Sequence, residues 1–144
     1  MAARIFAFLI NPDNHRVFDT SGMVRGSTDH AVPGDVGAVF VMDMHNEFKG
    51  DHRVENHVVV FERDRAIGWA PAEPGQEPAG HTFVWRLAPV AGGRTRVSQT
   101  YDWSAFTHLD MLAHMPVVDR DQLRASLDRL AAAVTGSARQ SMSR

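Results

Sequence analysis

The chain contains no cysteine, which excludes a disulfide framework, a zinc ribbon and a thiol nucleophile. It carries no excess of either charge. A net charge of −2 over 144 residues gives no electrostatic case for nucleic acid or an anionic membrane as partner. No apolar run approaches membrane-spanning length. The stretch Ile5 to Ile10 is the one candidate core of a secretion signal. It is short and runs into Asn11-Pro12-Asp13-Asn14-His15 without a small-residue cleavage site, so the expectation is a soluble, cytoplasmic protein. There is no glycine-rich phosphate loop, no serine nucleophile elbow, no internal repeat and no domain linker.

What is present is the composition of an ordinary globular domain, 44% apolar and 22% charged, with enough chain for a sizeable core. The strongest local signal lies between Asp119 and Gly136. Asp119 is suited to cap a helix, Gln122 three residues later completes a capping box, and Val118 and Leu123 sit at the positions of a hydrophobic staple. Leu123, Leu127, Leu130 and Val134 form one apolar stripe, with Ala131 beside them. The pattern predicts a helix over Arg120 to Val134, roughly 22 Å long, closed by Gly136. Burying the four large stripe residues contributes about 6–12 kcal/mol gross, so this helix requires a surface to lie on. Residues 1–135 then form one domain, and 136–144 read as a polar, disordered tail.

The rest of the chain supplies that surface. Ile5, Phe6, Phe8 and Leu9 make a short helical stripe ended by Asn11-Pro12, where a second short helix begins with Phe18 pointing inward. A weak strand runs from about Met23 to His30. Val36 to Met44 alternates more clearly, with Val36, Ala38, Phe40, Met42 and Met44 on one face. A hairpin turn centred on Lys49-Gly50 returns the chain along Arg53 to Glu62. That register places Met42 opposite His57 and Phe40 opposite Val59, bringing His57 and Glu55 to the apolar face; a one-residue slip reverses it. Ile67 and Trp69 mark a further short strand, and Pro71 to Gly80 is a connection rich in proline and glycine. Thr82 to Ala88 places Phe83, Trp85 and Leu87 on one face. A turn at Ala91-Gly92-Gly93 leads to Arg94 to Trp103, where Val97, Gln99, Tyr101 and Trp103 share a face. Strands joined by tight turns, with helices at the ends, indicate an α+β fold: a curved antiparallel sheet around a long C-terminal helix, with a cavity between them.

The segment Arg4-Ile5-Phe6-Ala7-Phe8-Leu9 with Asn11-Pro12-Asp13-Asn14, the hairpin Trp85-Arg86-Leu87-Ala88-Pro89 to Thr100-Tyr101-Asp102, and the helix Gln122 to Leu130 together resemble the START-related, helix-grip (SRPBCC) superfamily. The polyketide cyclase/dehydrase-like branch is the most similar. The resemblance implies the fold but no single activity, since the superfamily holds lipid and hormone carriers, cyclases and interaction modules. It also implies a strand before the first helix. Met1-Ala2-Ala3 leaves no room for that strand, so the expectation is either a start lying upstream of Met1 or an open sheet edge, at which the 144-residue form would self-associate as a homo-oligomer or be less stable than a longer form.

The candidate ligand-binding residues are Phe40, Met42, Trp69, Trp85, Gln99 and Trp103, joined by Met111 and Met115 as a flexible apolar lid flanked by His108 and His114. The plainer alternative is that the aromatics fill a core and the lid is a connecting segment. Gln99 argues for a pocket, because a buried amide without partners costs roughly 1–3 kcal/mol. His57 is the candidate acid–base group, with Tyr101 and Glu55, against the alternative of a strand histidine with a structural hydrogen bond. Asp43, His45, Glu47 and His52 have donors suited to zinc or iron, yet they fall near a turn on the polar face, so the expectation is no metal and no cofactor. Three functions follow: binding of a small hydrophobic or aromatic ligand, lipids included, which is preferred; a polyketide cyclase/dehydrase-type enzyme; or an interaction module docking through sheet edge or lid.

Overall fold

Alternation along the strands becomes a single sheet whose concave side is apolar. In the computed structural model, which describes residues 1–28, 30–47, 49–107 and 119–142, the chain opens with helix α1 (Ala2–Ile10). A single 3-10 turn, Pro12–Asn14, and the short helix α2 (His15–Phe18) follow. Six strands come next: β1 (Val24–Ser27), β2 (Val39–Asn46), β3 (Gly50–Glu62), β4 (Ala66–Ala72), β5 (Thr82–Val90) and β6 (Arg94–Asp102). Helix α3 (Arg120–Met142) follows them. The strands are antiparallel in the order β1-β2-β3-β4-β5-β6, a curled half-barrel that closes on α3 as a helix-grip fold.

The local signals at the chain ends operate as their chemistry predicts. Asn11 Oδ1 accepts the Asp13 amide at 3.1 Å, Pro12 starts the 3-10 turn, and Ile5, Phe6, Leu9 and Phe18 are buried. Asp119 Oδ1 accepts from the Gln122 amide at 2.8 Å, and Gln122 Oε1 accepts from the Asp119 amide at 2.9 Å. These two bonds complete the reciprocal capping box. On α3, Leu130 and Val134 are buried, Leu127 packs against the core as a partly buried neighbour, and Leu123 is half-buried. Gly136 does not end the helix, which continues to Met142. Ala138, Arg139, Gln140 and Met142 are good helix formers, and one interior glycine costs only about 1 kcal/mol. No described helix is long and apolar enough to cross a membrane.

The β2–β3 register departs from the expected one. Met42 pairs with Val54, Phe40 with Asn56, and Val39 with His57. The connection is shorter than a turn centred on Lys49-Gly50. Asn46 already pairs with Gly50, the Asn46 side chain accepts from the Lys49 amide at 2.8 Å, and Gly50 has φ +65°. Such a left-handed position suits glycine and closes a three-residue hairpin loop. The odd shift in pairing exchanges the two faces of β3. Further along, a bulge between Val58 and Val60 restores Phe61 to the inner side, opposite Ile67, where its ring meets Phe6 edge-on at 5.4 Å.

Leu130→Ala should destabilise the protein by roughly 2–5 kcal/mol, whereas Asp128→Ala on the exposed side of the same helix should change stability by less than about 0.5 kcal/mol. Urea unfolding of both variants checks this. Equal effects would mean that α3 does not grip the sheet through this stripe.

Candidate functional site

Pairing fixes what the sheet presents to α3. On the concave side, Met42 and Met44 of β2 lie opposite Val54 and His52 of β3. Trp69 of β4 lies opposite Phe83, and Phe83 and Trp85 of β5 lie opposite Tyr101 and Gln99 of β6. Leu130 and Val134 fill the far end of this trough. At the near end α3 offers only Leu123 and Ser126, and a cavity of about 300 Å³ remains. Its other walls are Phe18 of α2, the turn from Asp19 to Ser21, and Ala79, His81 and Phe106 from the connections.

The turn beside α2 is built by Asp19. Its carboxylate accepts from the Ser21 amide, the Ser21 hydroxyl, the Gly22 amide and the Val24 amide at 2.6–3.3 Å. Those bonds commit both oxygens to structure. The same turn holds α3: Arg129 donates to the Asp19 carbonyl at 2.7 Å, and the Thr20 hydroxyl donates to the Gln122 carbonyl. On the opposite side, Gly80 has φ +107°, and a Cβ there would lie 1.9 Å from the Ala105 carbonyl oxygen. Only glycine allows that approach. The adjacent Thr107 amide donates to the Ala79 carbonyl at 2.7 Å, which places Phe106 on the cavity wall.

Phe18, Trp69, Phe83, Trp85, Tyr101 and Phe106 put aromatic rings on the wall. Phe83 and Tyr101 stack at 4.4 Å and 3°, and Phe18 meets Trp85 edge-on at 5.2 Å. His15 stacks on Trp69 at 4.8 Å and 19°. The His15 Nε2 lies 2.8 Å from the Leu9 carbonyl oxygen; since a carbonyl only accepts, Nε2 carries the proton. Burial lowers its pKa from 6.5 to about 4, more than the opposing effects of the Leu9 bond and of Asp19 and Asp13. It is a neutral structural ring. His52, also on the wall, donates from Nδ1 to the Gly50 carbonyl at 2.9 Å, leaving Nε2 as the acceptor of that ring in its neutral form. Three polar side-chain atoms of wall residues are buried without a hydrogen-bond partner among the described residues: Asn56 Oδ1, Trp85 Nε1 and Gln99 Oε1.

Of the residues singled out from the sequence, Met42, Trp69, Trp85, Gln99 and Tyr101 line this cavity. Phe40 is buried against the His15 and Trp69 rings, in the core and not on the wall. Trp103 lies past the end of β6 and is 38% exposed, so its place on the inner row is corrected: the strand alternation ends at Asp102. His57 is corrected too. It pairs with Val39 and Ala70, on the face opposite Met42, and its neighbour Asn56 takes the inner place. Glu55 shares the outer side and accepts from the Gly75 amide at 2.7 Å. Asp43 is engaged by Thr28 and Arg53, and His45 by Asp51, while His52 is inside. The suspected metal donors therefore do not converge, and no group of three or more potential ligands occurs among the described residues. Met111, Met115, Leu112, His108 and His114 lie outside the described residues. Sequence reasoning missed Asn56, His15, His81 and the inward side of His52. The first and last follow once the hairpin is centred between Asn46 and Gly50.

No family model matches the chain. It is 30% identical over 104 residues to Rv0088, an uncharacterized protein of Mycobacterium tuberculosis, a match covering 72% of this chain and 43% of the relative. The chain thus spans less than half the length of that relative. Protein Ms6760 from Mycobacterium smegmatis aligns at TM-score 0.61 and 16% identity, covering 94% of this chain and 85% of that one. DR_A0006 from Deinococcus radiodurans aligns at TM-score 0.57 and 18% identity, covering 94% and 89%. At these identities the likeness is one of fold alone, a curled antiparallel sheet closed by a C-terminal helix.

Two outcomes are expected. Below pH 6.5 an unfolded His15 takes up a proton that the folded protein refuses until about pH 4, so stability should fall as pH drops through that window, by about 3 kcal/mol in total. The stability difference between the wild type and His15→Gln, from urea midpoints, should shrink across the same interval; a constant difference would show that His15 is not held neutral. Gly80→Ala should lower stability by more than the roughly 1–3 kcal/mol of backbone strain, because its Cβ also meets the Ala105 carbonyl oxygen; thermal unfolding measures the loss.

Proposed function

We propose that this domain binds a small, largely apolar, ring-bearing molecule between its sheet and α3. One observation carries the reading: a cavity of about 300 Å³ survives beside a well-packed core, walled by stacked and edge-on aromatic rings and by a few buried polar atoms without partners among the described residues. Its volume is at the lower end of the range for small-molecule sites, and apolar walls with sparse polar groups are their usual composition.

A second reading, an enzyme using acid–base chemistry, has one observation in its favour. His52, His81 and Tyr101 all line the cavity, and Nε2 of neutral His52 is the ring nitrogen left as acceptor by the Gly50 bond. It differs from the pairing expected from the sequence, since His57 is on the other face.

Protein purified from its own host should show, by native mass spectrometry, an additional small mass that disappears in a folded Val54→Trp variant, where the new ring occupies the cavity. A wild type without any adduct, whose unfolding midpoint is also unchanged by millimolar aromatic ligands, would count against binding. Turnover would be separated from carriage by His52→Gln, which should leave the bound mass in place.

A further inference from the structure

Trp85 and Gln99 are direct cross-strand partners in β5 and β6. The indole N–H of one is a donor and the amide oxygen of the other an acceptor. Both are buried, neither has a partner among the described residues, and they do not bond each other. A buried donor or acceptor left unmade is costly, and here two of opposite kind stand side by side on the same cavity wall. We infer that the Trp85 indole N–H and Gln99 Oε1 together anchor a neutral hydroxyl on the ligand, phenolic or alcoholic. This rests on the ligand-binding reading above.

The pair selects among polar groups. A hydroxyl oxygen accepts from the indole while its hydrogen goes to the amide oxygen, so one small group satisfies both. A ketone or ether would satisfy the indole only, and its lone pairs would face Gln99 Oε1. A carboxylate would do the same with a full charge. Nothing on the described wall offsets that charge at this place: the charged residues lining the cavity are Asp19, Lys49 and Glu73. Asp19 is committed to its turn, and Lys49 is bonded to Glu73 at 2.6 Å near the hairpin. The stacked rings of Phe83 and Tyr101, two residues along the same two strands and on the same face, give the hydroxyl-bearing ring a flat neighbour.

The test uses three matched ligands, 2-naphthol, 2-methylnaphthalene and 2-naphthoate, titrated calorimetrically into the wild type and into Gln99→Met, which keeps side-chain length and removes the acceptor. The wild type should prefer 2-naphthol over 2-methylnaphthalene about tenfold or more and bind 2-naphthoate most weakly. Gln99→Met should reduce the naphthol preference, read as the ratio of its affinities for 2-naphthol and 2-methylnaphthalene, to about twofold. Equal wild-type affinities for the naphthol and the hydrocarbon, or a preference for the naphthoate, would overturn the anchor and leave the binding cavity standing. Failure of all three to bind would remove both. A second measurement needs no variant fold: the indole N–H of Trp85, one of three tryptophans, should move downfield in the proton–nitrogen spectrum with 2-naphthol and not with 2-methylnaphthalene. Identical shifts with the two ligands would overturn the anchor.

Discussion

A single amphipathic helix packed on the concave face of a curled six-stranded sheet cannot fill it from end to end, and the remaining geometry follows from where the filling stops. Leu130 and Val134 reach the floor of the trough, where α1 adds Ile5, Phe6 and Leu9 to the same core. Toward the helix N-terminus the stripe passes through Ser126 to a half-buried Leu123, and the sheet opposite carries rings on β4 to β6 beside Met42, Met44 and Val54. The helix does not tilt in to close the gap, because its first turns are fixed from the side. Arg129 and Gln122 are bonded to the backbone of Asp19 and Thr20, and the Asp19 carboxylate stiffens that backbone in turn. The cavity is therefore a consequence of how α3 is moored.

Much of this architecture was legible in the residues. The capping box at Asp119 and Gln122, the Asn11-Pro12 corner and the alternating faces of β2, β5 and β6 are local signals, each decided by a few adjacent residues. The inner row Phe83, Trp85, Val97, Gln99 and Tyr101 could be read from period-two alternation alone. The face of β3 could not. Both faces of Arg53 to Glu62 carry valines, so hydrophobic pattern does not choose between them, and the choice passes to the geometry of the connection. Gly50 decided it by serving as the left-handed residue that ends a short loop rather than as the centre of a longer one. His57 and Asn56 exchanged places as a result, and His52 came to the wall together with Asn56.

The histidines show the same limit from another side. His15 follows a proline corner in a polar stretch, and nothing in its neighbours announces burial. It is buried because the corner turns it under Trp69, beside Phe18 and Phe40, and because the Leu9 carbonyl at the end of α1 has no later residue in the helix to bond. Long-range packing assigned that role. Likewise Trp103 has the right parity for the inner row but stands beyond the last paired residue, where parity no longer means anything.

The bulge at Val59 works as a frame correction within β3. Residues before it and residues after it are both in phase with the sheet's interior only because one residue between them is left out of the count. Replacing Val59 by another side chain leaves that phase alone. Removing it would not: either Asn56 and Val58 or Phe61 would have to turn outward, and no choice of side chains elsewhere could keep both halves in place. The strand is tolerant of substitution at this position and intolerant of a change in length, so natural variation in chain length would be expected to fall in the connections and not here.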